Sequence, residues 1–206
     1  MQRPPIFKDI NIKAYFTNKS IGSIYEISKR LEIPISQIYL PIQRHTDTVQ
    51  IICNDREPKV GDAVITKERG LLIGVQVADC VPILLYDKKR HIVGAVHAGW
   101  RGTAAGILKK TIKIMVESLF SNLEDILIAL GPSIRWCCYG VGYEVLEEVE
   151  KATGKGDYVM RKGDKYCLDL QTANKYQLLS MGIPSENIWL SHECTFCLPE
   201  KYYSYR

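Results

Sequence analysis

Apolar and polar positions follow two rhythms along this chain, and the changes of rhythm mark its elements. In "SIYEISKRLEIP" (Ser23 to Pro34) apolar residues fall at 24, 27 and 31, a helical spacing that the proline stops. "SQIYLPIQRHTDTVQII" reads as strand, turn and strand, and "GDAVITKERG" as a short strand closed by a glycine turn. "LLIGVQVADCVPILLYD" (Leu71 to Asp87) is apolar on both faces and interrupted at Ala78-Asp79-Cys80. That pattern predicts two buried strands meeting at a junction. A charged turn, Asp87 to Arg90, leads into "HIVGAVHAG" (His91 to Gly99), the expected antiparallel partner of the preceding strand.

Farther on, Thr103 is placed to cap a helix running to about Phe120. Ile107, Ile114, Met115 and Leu119 share one of its faces, and Lys109, Lys110 and Lys113 lie largely outside it. "DILIAL" predicts another buried strand, running into "GPSIRWCCYGVG". Helices are expected at about 142–153 and 170–181, the second ended by Met181-Gly182-Ile183-Pro184. With no repeat, low-complexity tract or long linker, residues 1–206 read as one α/β domain with a mixed sheet.

Composition narrows the function. A chain of 206 residues can bury a full core, and 46% hydrophobic with 24% charged residues is the balance of a soluble globular protein. A net charge of +4 admits an anionic small-molecule ligand but supplies no dense basic face for nucleic acid. No apolar run reaches the roughly 18 residues that span a bilayer. The start, "MQRPPIFKDINIK", has no apolar core of a secretory signal. The expectation is therefore a cytoplasmic protein with no membrane partner. Seven cysteines, an odd number in such a setting, read as thiols or metal ligands rather than disulfides.

Candidate chemistry gathers at three residues. His45 lies in or beside a turn, Cys80 at the strand interruption, and His97 where an apolar strand meets Gly99. Their spacing matches no local zinc finger, but catalytic metal sites are often assembled from the ends of different strands. Two imidazoles and a thiolate suit zinc with a fourth position left open, and zinc so held brings the pKa of a water to about 7. The competing reading is three separate residues, a buried cysteine and two hydrogen-bonded histidines. Beside His97, Gly99-Trp100-Arg101-Gly102-Thr103 leads into a helix, where backbone N–H groups and Arg101 favour an anion. The same stretch also fits an ordinary turn with a solvated arginine.

"QRHTDTV", "VQVADCVPILLYD", "VHAGWRGT", "LGPSIRWCCYGVG", "CLDLQTANKYQLLSMGI" and "CTFCLPEKYYSYR" occur in that order. Over residues 42–206 the chain resembles the YfiH family, also called laccase-domain or polyphenol-oxidase-like proteins and purine nucleoside phosphorylases. The resemblance implies mixed sheets flanked by helices and a zinc site at His45, Cys80 and His97. It also implies phosphorolysis of adenosine, inosine, guanosine and methylthioadenosine, with deamination of adenosine. Purine nucleoside and phosphate are then the substrates, with Arg101 and Arg44 as candidates to hold phosphate. Departures from the family pattern fall at Arg44, at Val77, in the shortened "AYFTNKSIGSIYEI" segment and after "YYSYR", and they bear on substrate range. Three other readings compete. Copper, which also accepts two histidines and a cysteine, would make a phenol oxidase, although a multicopper laccase needs more than the four histidines present. Cys80 with His97 or His45 would make a metal-free cysteine hydrolase. A non-catalytic binding module is the last.

The remaining features have plainer readings. Cys194 and Cys197 form a lone C-x-x-C, with Cys137 and Cys138 as partners in principle, and buried or half-buried thiols are the default. Asp79 either orients a ligand or caps backbone N–H groups. Asp169 is expected at a helix start. His91 and His192 are expected outside the metal site. The spacing of Tyr202, Tyr203 and Tyr205 suggests a strand, and Trp100 either stacks on a base or packs beneath the turn.

Overall fold

The computed structural model describes residues 1–53 and 55–206. Helix α1 (Ile24–Leu31) forms where the spacing of 24, 27 and 31 predicts it. Ser23 and Glu26 start it reciprocally. The Glu26 N–H donates to Ser23 Oγ at 3.2 Å, and the Ser23 N–H donates to Glu26 Oε2 at 2.9 Å. Strands β1 (Ile38–Tyr39) and β2 (Val49–Ile52) flank the turn that carries His45, and β3 (Ala63–Thr66) is the short strand expected in "GDAVITKERG".

The apolar stretch from Leu71 departs from expectation. Only β4 (Leu72–Ile73) is strand there, and it pairs in parallel with β1, outside the main sheet. The backbone of Gln76 is satisfied by a side chain instead. Gln43 donates from Nε2 to Gln76 O at 2.8 Å, and its Oε1 accepts from Gln76 N at 2.7 Å. A glutamine amide thus imitates the neighbouring strand.

Strands β5 (Val81–Asp87) and β6 (Ile92–Ala98) form the expected antiparallel hairpin, with Pro82 opposite His97 and Val81 opposite Ala98. After it the structure differs again from the pattern. Helix α2 (Trp100–Ala104) begins three residues before Thr103, and Gly106, at φ +71°, separates it from α3 (Ile107–Glu117). Thr103 is not a cap. Its Oγ accepts from the buried Asn174 amide at 2.9 Å. Ile107, Leu108, Ile112 and Met115 supply the buried face of α3.

Strand β7 (Ile126–Leu130), strand β8 (Gly140–Val141) and helix α4 (Tyr143–Thr153) follow. Then come β9 (Val159–Lys162), β10 (Lys165–Leu168), α5 (Leu170–Ser180) and β11 (Ile188–Leu190). Asp169 caps α5 as expected, accepting from Thr172 N at 3.1 Å, and Gly182 at φ +91° follows its end. Tyr202, Tyr203 and Tyr205 lie in turn and irregular backbone, not in a strand, because this segment folds back onto side chains rather than onto a sheet edge. Tyr202 is buried with its hydroxyl donating to Glu193 Oε2 at 2.5 Å, while Tyr203 and Tyr205 are exposed.

Six strands make one mixed sheet in the order β11-β7-β5-β6-β3-β2, with parallel pairs at both edges and antiparallel pairs between. The main core fills one face, where Val81, Ile83, Val96 and Ile128 meet Ile107, Ile112, Met115 and Leu178 of the helices. Phe7, Phe16, Tyr86 and Ala129 cluster on the other face under the N-terminal segment. Both faces of β5 and β6 are covered, which explains their near-continuous apolar sequence.

Candidate metal centre

The hairpin register builds the site. Cys80 immediately precedes β5, Gly99 immediately follows β6, and the register sets them side by side. Strand β3 lies on the other side of β6 with Ala63 opposite Val96, so Asp62 comes beside His97. The His97 N–H donates to Asp62 O at 2.7 Å. His45 arrives from the β1–β2 turn, held at φ +57°, a conformation that costs a residue with a Cβ and marks a constrained position.

Donor atoms of His45, Cys80 and His97 lie within 4.8 Å of one another. The two imidazole rings meet edge to face with centres 4.8 Å apart. His97 is buried, Cys80 half-buried and His45 exposed, so the cluster opens to solvent on the His45 side. The structure therefore unites the three residues that the sequence left as separate or joined.

The sequence reading missed Asp62, which organises the cluster. Its carboxylate is completely buried and collects five donors. They are the N–H groups of Arg44 (3.2 Å), His45 (3.1 Å) and Thr46 (2.7 Å), the Thr46 hydroxyl (2.8 Å) and His97 Nδ1 (2.7 Å). Burial works to raise this carboxyl, but the bonds from His97 and Thr46 outweigh it and hold it below the ordinary carboxylate range. The sequence signal is an acidic residue directly before a mostly apolar strand, "GDAVIT".

Electrostatics suit a metal ligand set. Burial lowers the pKa of His97, with Asp62 opposing, and the net effect favours the neutral imidazole that a metal requires. Nδ1 is engaged by Asp62, which leaves Nε2 to face the other donors. Burial first, then the charges of Asp79 and Asp62, push the Cys80 thiol up to about 11. A thiol in that state is a poor nucleophile at neutral pH. A cation among these donors reverses the balance, because a coordinating thiol is deprotonated outright. Space points the same way: a Cβ on Gly99 would stand 2.8 Å from Cys80 Sγ and 3.4 Å from His45 Cδ2. The residues present fit a borderline-soft divalent ion.

Around the cluster, Arg101 is exposed, with its guanidinium 4.4 Å from the centre of the Trp100 ring. Trp100 packs against the main core, in keeping with a place beneath the turn. Arg44 is exposed beside His45. Asp79, at φ +79°, holds the distal segment. It accepts from Thr195 Oγ (2.7 Å), Ser204 Oγ (2.9 Å), Tyr205 N (2.7 Å) and Arg206 N (3.3 Å). His91 turns away and bonds Tyr86 at 2.8 Å, and neither it nor His192 joins a metal-ligand group among the described residues. A cavity of about 1340 Å³ opens between the N-terminal segment and the opposite side of the sheet, and none of the five predicted site residues lines it. Cys137, Cys138, Cys194 and Cys197 come together in a second group, with Cys194 buried, Cys138 half-buried and the other two exposed.

Comparison with known proteins adds names. Residues 21–206 match the family described as multi-copper polyphenol oxidoreductase laccase. A purine nucleoside phosphorylase from Aquifex aeolicus is 44% identical over 165 residues, 80% of this chain and 74% of that protein. An adenosine deaminase, RL5, from an unknown prokaryotic organism is 34% identical over 193 residues, 87% of this chain and 73% of that protein. Among solved structures, YlmD from Geobacillus stearothermophilus superposes with a TM-score of 0.85 at 31% identity, covering 89% of this chain and 73% of that one.

Proposed function

The chain belongs to the multi-copper polyphenol oxidoreductase laccase family, and from that premise we propose that it is a zinc-dependent purine nucleoside phosphorylase that also deaminates adenosine. Relatives named purine nucleoside phosphorylase and adenosine deaminase support an enzyme of this kind. The observation that carries the reading is the convergence of His45, Cys80 and His97 on one solvent-open point, backed by Asp62.

His45, Cys80 and His97 would hold the ion, which supplies Lewis acidity to the reacting purine or water. The protein's own groups do the rest. Asp62 fixes the ring orientation of His97 and the backbone of residues 44–46. Arg101, stiffened by stacking on Trp100, and Arg44 offer positive charge at the rim for phosphate. In phosphorolysis a phosphate oxygen bonds to the anomeric carbon as the glycosidic C–N bond breaks. The bonding pair leaves with the purine, and ribose 1-phosphate is the second product. In deamination water adds to the amine-bearing carbon and ammonia departs. Exposed His45 lies on the open side from which a nucleoside enters.

A copper-dependent phenol oxidase is the second reading, favoured by the family's description. The site gathers two of the chain's four histidines, a set too small for the several coppers of a laccase. The deciding experiment is a product assay on metal-quantified protein with adenosine, with and without phosphate. Adenine and ribose 1-phosphate are expected with phosphate, and inosine without it. Phenol turnover on stoichiometric copper, with neither purine product, would replace this function with the second.

A further inference from the structure

The chain carries a second cluster of metal-binding side chains that the proposed chemistry does not use. Cys137 and Cys138 sit in the loop between β7 and β8, and Cys194 and Cys197 in the loop after β11. Their four sulfur atoms lie within 4.8 Å of one another. Cys197 Sγ is 3.4 Å from Cys138 Sγ and 3.8 Å from Cys137 Sγ. A zinc ion with four sulfurs at about 2.3 Å needs S···S edges of about 3.8 Å. The Cys137–Cys197 separation equals such an edge, the Cys138–Cys197 separation is about 0.4 Å shorter, and all four sulfurs are close enough to share one ion. All four cysteines are free thiols. Two of them are exposed, so the group is not explained by core packing.

The surrounding backbone is shaped for the same end. A parallel bridge joins Ser133 to Cys194, and Thr195 N donates to Ser133 O at 3.1 Å, which docks one loop on the other. The Arg135 N–H donates to Cys194 Sγ at 3.4 Å, a contact that stabilises a thiolate. Four protein ligands leave no open coordination position, the signature of a structural rather than a catalytic ion.

We propose that Cys137, Cys138, Cys194 and Cys197 bind a structural zinc(II) ion that fastens the distal loop to the wall of the first metal centre. On binding, the four thiols release their protons and four Zn–S bonds form, with no change of oxidation state. The coupling to the first centre is direct. Thr195 stands between two of the ligands, and its hydroxyl holds Asp79, the neighbour of Cys80. Ordering residues 194–197 therefore orders the backbone on which Cys80 is presented.

Zinc counting on the purified full chain tests this, using plasma mass spectrometry after dialysis against zinc-free buffer. About two zinc per chain is expected for the unaltered protein and about one for either Cys80→Ser or Cys138→Ser/Cys197→Ser. Cobalt(II) loaded into Cys80→Ser should give intense tetrahedral ligand-field bands with thiolate-to-cobalt charge transfer. Should the double variant fail to fold, the Cys80→Ser protein decides alone. No tightly held zinc in Cys80→Ser overturns the proposal. So do four thiols alkylated as fast with zinc as after chelation, or a mass lower by two hydrogens from a disulfide.

Discussion

His97 Nδ1 lies 2.7 Å from Asp62 Oδ1, and the same carboxylate receives the backbone N–H of His45. One buried acid thus aims one candidate ligand and seats another. Asp62→Asn removes the charge and replaces one acceptor oxygen with a donor amide facing N–H groups. A loss of about 10–100-fold in zinc affinity at the first centre is expected. Competition titration against a chromogenic chelator measures it, with circular dichroism confirming the fold. Unchanged affinity would remove Asp62 from the site.

Gly99 is glycine because of its neighbour rather than its dihedral angles, which any residue adopts. A methyl group there would press on Cys80 Sγ at 2.8 Å. In the free protein that side chain can give way, but with an ion bound it cannot. Gly99→Ala is therefore expected to weaken metal binding by about 1–3 kcal/mol, the scale of overpacking strain, while the thermal midpoint of the metal-free protein hardly moves. An equal loss in both forms would make Gly99 a folding residue only.

Arg101→Ala should raise the phosphate KM about tenfold or more, the scale of one charged hydrogen bond, and leave phosphate-free deamination near its original rate. Arg101→Lys should restore part of the loss, since lysine keeps the charge but not the planar fork or its stacking on Trp100. Steady-state kinetics with varied phosphate separates the outcomes. If both reactions fall together, Arg101 has a structural role and not a phosphate-binding one.

Arg135 donates twice to Asp169 Oδ2, at 3.0 and 2.8 Å, and once to Ser191 O at 2.7 Å. The acid is 5% exposed, so Arg135→Met strands its charge at the start of α5. A loss of about 3–5 kcal/mol is expected, as for other broken buried pairs. The urea midpoint checks this, and a shift within error would mean that water replaces the guanidinium.

The elements that a local pattern specifies were legible in the sequence. The β5–β6 hairpin follows from two apolar runs around a charged turn, and α4 and α5 from their helical spacing. What escaped depends on partners distant in sequence. Thr103 looked like a cap because its hydroxyl suits one, but Asn174 claims that hydroxyl. The α2–α3 break rests on the left-handed backbone of Gly106, which no apolar rhythm records. Of the strand expected from Leu71 up to the break at Ala78, only Leu72–Ile73 forms, and the Gln43 side chain satisfies the backbone of Gln76 beyond it. His45, Cys80 and His97 were individually visible, whereas Asp62 gains its role only when β3 lies beside β6.

The Asp79 carboxylate draws its partners from 116 to 127 residues farther along the chain. Contacts that distant close large loops and form late, because the entropy of closure must be met before they reward it. The order of assembly follows: the hairpin can fold early and Ile134 N can bond Asp79 O, but the Asp79 carboxylate beside Cys80 is fully engaged only when the last dozen residues dock. In refolding followed by pulsed thiol alkylation, Cys80 should gain protection after the amides of β5 and β6. Simultaneous protection would mean that the seat of the metal is complete as soon as the hairpin is.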